Sequence, residues 1–160
     1  MIRIPETLIS EFRNAIKDLG LACGEIQHEA QPAPHRLHKL PEGKCALYAF
    51  SLSRGYGERC PAGAGRVLKV GKAGPNSNAR LQSHHYEPGR APSTLAATLI
   101  DSTILWHYLG IMELRSEQVG HWIRANTDRD NFYFDSRDNY ILARFEKYAI
   151  GRLGPVFEGG

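Results

Sequence analysis

Lys44-Cys-Ala-Leu-Tyr48-Ala-Phe-Ser-Leu52 and Arg66-Val-Leu-Lys69-Val-Gly71-Lys72 are the two stretches on which the fold turns. Both are short and apolar, and turn-forming residues bound them, which is the pattern of buried strands. The segment 53–65 between them carries glycines at 55, 57, 63 and 65, so the pair is expected to form an antiparallel hairpin. Gly55-Tyr-Gly57 does not continue into Gly-x-Gly-x-x-Gly or a Walker pattern, and turn chemistry explains it better than a phosphate cradle.

Outward toward the C-terminus, Asn76, Ser77 or Asn78 can cap a helix that carries Arg80 and His84, four apart and hence on one face. Thr94 to Ile100 reads as a further helix, Ile104 to Leu114 as an apolar strand, and Ser116 to Ala125 as a helix with Val119, Trp122 and Ile123 inward. Asn131-Phe-Tyr-Phe-Asp135 has strand propensity. Tyr140 to Leu153 places Ile141, Leu142, Phe145, Tyr148, Ala149 and Ile150 at helical spacing, and Gly154-Pro155 stops it. Toward the N-terminus, Leu8, Ile9, Phe12, Ile16 and Leu19 predict an amphipathic helix over Pro5 to Gly20. Cys23 to Gly43 has three prolines, His28, His35 and His38, and no sustained period, so it reads as an irregular arm.

The expected architecture is α/β, with a small three-stranded, mostly antiparallel sheet flanked by helices and preceded by a helical extension over 1–43. The domain proper is expected over 44–160. No apolar run reaches the ~18–20 residues of a membrane span. Met1 to Ala22 is interrupted by Glu6, Glu11, Arg13, Lys17 and Asp18, unlike a signal peptide. Three cysteines without framework spacing fit reduced thiols, so a cytoplasmic protein with no membrane partner is expected.

The net charge is only +3, but it is unevenly distributed. Residues 1–80 hold twelve Lys or Arg against seven carboxylates, and residues 81–160 hold eight against ten. No carboxylate lies between Glu58 and Glu87, where Arg59, Arg66, Lys69, Lys72, Arg80, His84 and His85 all fall. Such a stretch can bind a polyanion; a solvated surface with a local bias is the plainer alternative.

One ordered constellation stands out. It comprises Ala46-Leu47-Tyr48 on the first strand, Lys69-Val70-Gly71-Lys72 on the second, Arg80-Leu-Gln-Ser-His84 on a helix, and Phe145-Glu146 on a late helix running into Gly154-Pro155. In this order and spacing the chain resembles the GIY-YIG nuclease superfamily over roughly Lys44 to Phe157. The resemblance implies a divalent-metal-dependent endonuclease acting on DNA phosphodiesters, with DNA favoured over RNA. It implies a water-activating Tyr48, a phosphate-steadying Arg80, and Glu146 holding one Mg²⁺ or Mn²⁺ ion. Lys69 stands where the usual second tyrosine would be, as in some restriction-type members. Ala46 replaces the first glycine, and the asparagine often found after the final proline is absent, with Glu158 nearby. The segment at about 87–130 exceeds a minimal core and is expected to be an insertion that reads the substrate.

The residue chemistry agrees with those roles. One carboxylate can hold a hard cation whose other positions go to water and phosphate. Arginine offers a planar fork that stays charged. A phenol, with an ordinary pKa of about 10, serves as a base only beside cations, a field Lys69 and Lys72 can supply. His84 completes the catalytic set, and Arg59, Arg66, Lys72 and His85 are the candidate nucleic-acid contacts. Each residue also has a plainer reading. Tyr48 can be a core tyrosine, Arg80 and His84 an exposed helix face, and the whole a binding module without catalysis. Asp128, Asp130, Asp135 and Asp138 read as turn caps and solvated ends rather than a metal cluster.

Overall fold

The computed structural model describes residues 4–91 and 94–157; Glu158 lies outside them. Its sheet has four strands, all antiparallel, in the order β1-β4-β2-β3: β1 (Ile26–Gln31), β2 (Lys44–Leu52), β3 (Val67–Ala73) and β4 (Thr127–Asp135). The hairpin β2–β3 forms as its sequence dictates, with a register shift between Phe50 and Ser51.

The three-stranded expectation misses β1, which lies in the segment read as an irregular arm. As an edge strand it pairs only with β4 among the described residues, and of its residues only Ile26 is buried. Such a strand needs no hydrophobic alternation, and Gln27, His28, Glu29 and Gln31 supply none. β4 likewise starts at Thr127 rather than Asn131. Asp128 and Asp130 are therefore strand residues and not loop ends: Asp128 accepts the Ala33 N–H at 2.8 Å and Asp130 pairs with His28 at 2.6 Å. Asp135 does cap, accepting the Arg137 N–H.

Among the described residues, six α-helices surround the sheet: α1 (Leu8–Lys17), α2 (Arg54–Gly57), α3 (Asn78–Gln82), α4 (Leu95–Asp101), α5 (Ser116–Asn126) and α6 (Asn139–Leu153). On one face, Leu8, Phe12 and Ile16 of α1 and Ile141, Leu142, Phe145 and Ala149 of α6 pack on Cys45, Leu47, Ala49, Phe132 and Phe134. Leu19, expected inward, falls past the end of α1 and is exposed. On the other face, α4 and α5 cover Ala46, Tyr48, Phe50 and Leu52.

Ile104 to Leu114 is not a strand. A 3₁₀ turn at Thr103–Leu105 leads into further turns closed by local bonds, from Leu109 N–H to the Leu105 carbonyl and from Ile111 N–H to that of Trp106. Its apolar residues still enter the core, with Leu109, Ile111 and Leu114 all buried. The 1–43 and 87–130 segments are integral to the layers: the first contributes β1 and α1, the second α4, α5 and the start of β4. No helix among the described residues is long and apolar enough to cross a membrane.

Candidate active site

Alternation along antiparallel strands puts directly opposed residues on the same face. Tyr48 of β2 lies opposite Gly71 of β3 and Asn131 of β4, while Phe50 lies opposite Lys69 and Arg129. A polar row thus crosses the sheet on its α4/α5 face. Gly71 is required there by space: a Cβ would stand 2.5 Å from the Tyr48 hydroxyl, which passes over the glycine. Tyr48 is fully buried and Lys69 is 2% exposed.

Tyr48 is met from above by the segment after β3. Here the expected helix breaks: α3 ends at Gln82, Ser83 departs from helical geometry, and a 3₁₀ turn follows at His84–Tyr86. Arg80 and His84 consequently do not share one helix face. The shift in phase leaves His84 half-buried and turns His85 inward. His85, expected on the nucleic-acid-gripping surface, is completely buried and hydrogen-bonds the Tyr48 hydroxyl through Nε2. Gly120 of α5 lets this turn approach, since a Cβ there would lie 2.7 Å from the Tyr86 carbonyl oxygen.

The hydrogen bonds fix the His85 tautomer. Its Nδ1 accepts the Leu95 backbone N–H at 3.1 Å, an otherwise unpaired donor in the first turn of α4. Burial first, and then Arg129, Arg80, Lys69 and His84, hold the ring well below its ordinary pKa. A neutral imidazole accepting at Nδ1 carries its proton at Nε2. His85 therefore donates to Tyr48, and the Arg80 guanidinium lies near enough to favour the phenol's ionised form. Burial still pushes the Tyr48 phenol up to about 12, opposed by Arg80 and Arg129 and reinforced by Glu146.

Glu146, on α6, sits at the rim of this group, where its charge raises the pKa of Lys69 while burial and Arg80 lower it, with a net lowering. Its carboxylate is 24% exposed and pairs with Lys72 at 3.9 Å. No group of three or more His, Cys, Asp or Glu able to hold a metal occurs among the described residues. A Mg²⁺ ion keeps most of its waters and takes one or two carboxylates, so the single, partly exposed Glu146 fits that mode of binding.

Arg129, Asn131, His35 and the Tyr86 hydroxyl that joins two of them escape sequence reasoning. Arg129 is fully buried; it donates from Nε to Asn131 at 2.9 Å, from Nη1 to the Tyr86 hydroxyl at 2.9 Å and from Nη2 to the Leu81 carbonyl at 2.6 Å. Asn131 in turn reaches Glu29 and Gln31 of β1. His35 donates from Nδ1 to the Thr127 carbonyl, so its Nε2 accepts from the Tyr86 hydroxyl, at 2.8 Å in both cases. The only advance signal was the alternation Arg129, Asn131, Tyr133, which becomes informative once β4 is known to lie beside Tyr48.

Arg59 and Arg66 are engaged elsewhere. Arg59 is exposed and donates to the Gly55 carbonyl at 3.0 Å, while Arg66 ties the Gly154 carbonyl at 2.7 Å and the Tyr108 hydroxyl at 3.2 Å. The structure brings together Tyr48, Lys69, Arg80, His85 and Glu146, with Lys72 at the margin. No family model matches the chain, and no curated protein or solved structure matches it either.

Proposed function

We propose that this chain is a divalent-metal-dependent endonuclease of the GIY-YIG type, hydrolysing DNA phosphodiester bonds. The observation that carries this reading is the Tyr48 oxygen, which accepts a hydrogen bond from His85 and lies in the field of the Arg80 and Arg129 charges, with Glu146 near. The donor and the cations oppose the burial that holds the phenol protonated, which is the direction a phenolate base requires.

In the reaction the Tyr48 phenolate, its own proton first released to solvent, takes a proton from the water that attacks phosphorus, while the bond from phosphorus to the leaving oxygen breaks and that oxygen takes a proton from solvent. Arg80, only partly buried, offers its planar fork to the phosphate. His85 stays in place with its Nε2 proton directed at Tyr48, and Lys69 opposes the charge that gathers on the phosphoryl group. A Mg²⁺ or Mn²⁺ ion held by Glu146 would supply a Lewis acid for the leaving oxygen and cancel the carboxylate charge that raises Tyr48.

The complete burial of Tyr48 and its raised pKa favour a second reading, a nucleic-acid-binding module that keeps the fold without cutting. Labelled single- and double-stranded DNA and RNA, incubated with Mg²⁺, Mn²⁺ or EDTA, separate the two. Cleavage of DNA that EDTA stops is expected, with a loss of roughly 10²- to 10⁴-fold in Tyr48→Phe, the span of general-base catalysis. Glu146→Ala is expected to abolish metal-dependent cleavage while leaving DNA binding. Salt-sensitive binding without any cleavage selects the second reading.

A further inference from the structure

Arg129 presents a buried cation whose hydrogen-bond partners are all neutral. Its three donor nitrogens go to an amide, a phenol and a backbone carbonyl, and no ion pair to a carboxylate is formed among the described residues. Burying a charge in this way is costly, and a neutral side chain could have joined these groups at less expense. The guanidinium carbon lies 5.3 Å from the Tyr48 ring centroid and 5.1 Å from that of Phe50. The missing counter-charge is thus available from Tyr48, whose ring attracts a cation more strongly once its oxygen is ionised.

We propose that Arg129 is a positioning residue for Tyr48, a permanent charge beneath the ring that sustains the phenolate when the site works. The role rests on Tyr48 being the base. The charged and titratable groups around Tyr48 are Arg129 from β4, Lys69 from β3, Arg80 from α3, His85 from the 3₁₀ turn and Glu146 from α6. Of these, Arg129 alone is a fully buried arginine, unable to leave with substrate or lose its proton.

The test follows Tyr48 directly, by fluorine NMR of protein labelled with 3-fluorotyrosine, with Tyr48→Phe assigning the resonance. Arg129→Met is expected to raise the Tyr48 midpoint by at least one pH unit, and Arg129→Lys, which keeps charge but loses hydrogen bonds, by less than half as much. An unmoved midpoint in folded Arg129→Met overturns the proposal, as does an equal displacement by both variants. The parent provides a check that needs no Arg129 variant to fold. Its Arg129 Nε–H resonance is expected to shift through the Tyr48 midpoint and to stop doing so in Tyr48→Phe; a resonance indifferent to that titration overturns the proposal. The cleavage pH profile of Arg129→Met is expected to move its rising limb to higher pH. Coupled titration in a protein that cuts nothing would defeat the nuclease reading alone, and cleavage without coupling would defeat this role alone.

Discussion

The two faces of the sheet are built on opposite principles. The face under α1 and α6 is sealed with aromatic and aliphatic groups, among them Phe12, whose ring is tilted against that of Phe145 with centroids 4.5 Å apart, and Phe145 also packs on Phe132 and Phe134. The face under α4 and α5 buries Lys69, Arg129, Asn131 and His85 as well as hydrophobic residues. Apolar burial stabilises without direction, whereas every buried polar group demands a placed partner. The comparison teaches that one face mainly holds the chain folded, and that the other bears costs explicable by chemistry at Tyr48.

The largest expected separation comes from emptying the first face. Phe12→Ala removes a ring that is 1% exposed and should cost about 3–5 kcal/mol, as large-to-small core changes do. Urea unfolding measures that loss, while the Tyr48 titration and any cleavage rate of the folded variant should stay as in the parent. A Tyr48 midpoint displaced along with stability would show that the two faces are not separate in function.

Acid should act on the second face. Burial holds the His35 imidazole down to about 4 from 6.5. A histidine lowered in the folded state binds its proton more readily when unfolded, so its contribution is present above about pH 6.5 and is lost as pH falls toward 4. The full span corresponds to roughly 3 kcal/mol. His35→Gln, which cannot titrate, should be less stable than the parent at pH 7 and lose less on going to pH 4.5. Parallel losses in the two proteins would remove His35 from the account.

Gly71→Ala tests the contact between the strands. Its Cβ meets the Tyr48 hydroxyl and ring carbons inside 3 Å, and overpacking of this kind costs about 1–3 kcal/mol. Cleavage should fall further, by about 10²-fold, because a displacement near 1 Å at a reacting group suffices for that. A variant that loses stability and keeps its rate would mean that the Tyr48 oxygen need not lie over Gly71.

These examples also show what can be read before folding. Tyr48, Lys69, Arg80 and Glu146 are legible because each belongs to a local pattern: an apolar run, a strand ending in glycine, a capped helix, an amphipathic helix. The hairpin and the helices α1, α5 and α6 follow from period alone. Arg129 is silent because its meaning depends on register, on Phe50 facing it across β2 and β4. Choosing between His84 and His85 turns on one break at Ser83, which no periodicity announces. β1 is hidden because pairing with β4, rather than burial of its own side chains, makes it a strand.

The smallest effect on folding belongs to Lys72, at the margin of the site. It meets Glu146 at 3.9 Å, with 46% of its own side chain exposed, and exposed pairs of this kind contribute about 0–1 kcal/mol. Lys72→Ala should therefore leave unfolding in urea almost unchanged. Its expected effect is on nucleic-acid affinity: removing one phosphate contact should lower the salt dependence of binding by about one unit of slope, evenly across sequences. Stability and binding would then respond independently at the rim, because a solvated cation that contributes little to the fold is still free to meet a phosphate. A slope equal to the parent's would place Lys72 off the path of the nucleic acid and leave Arg80 and Lys69 as the cations that meet it.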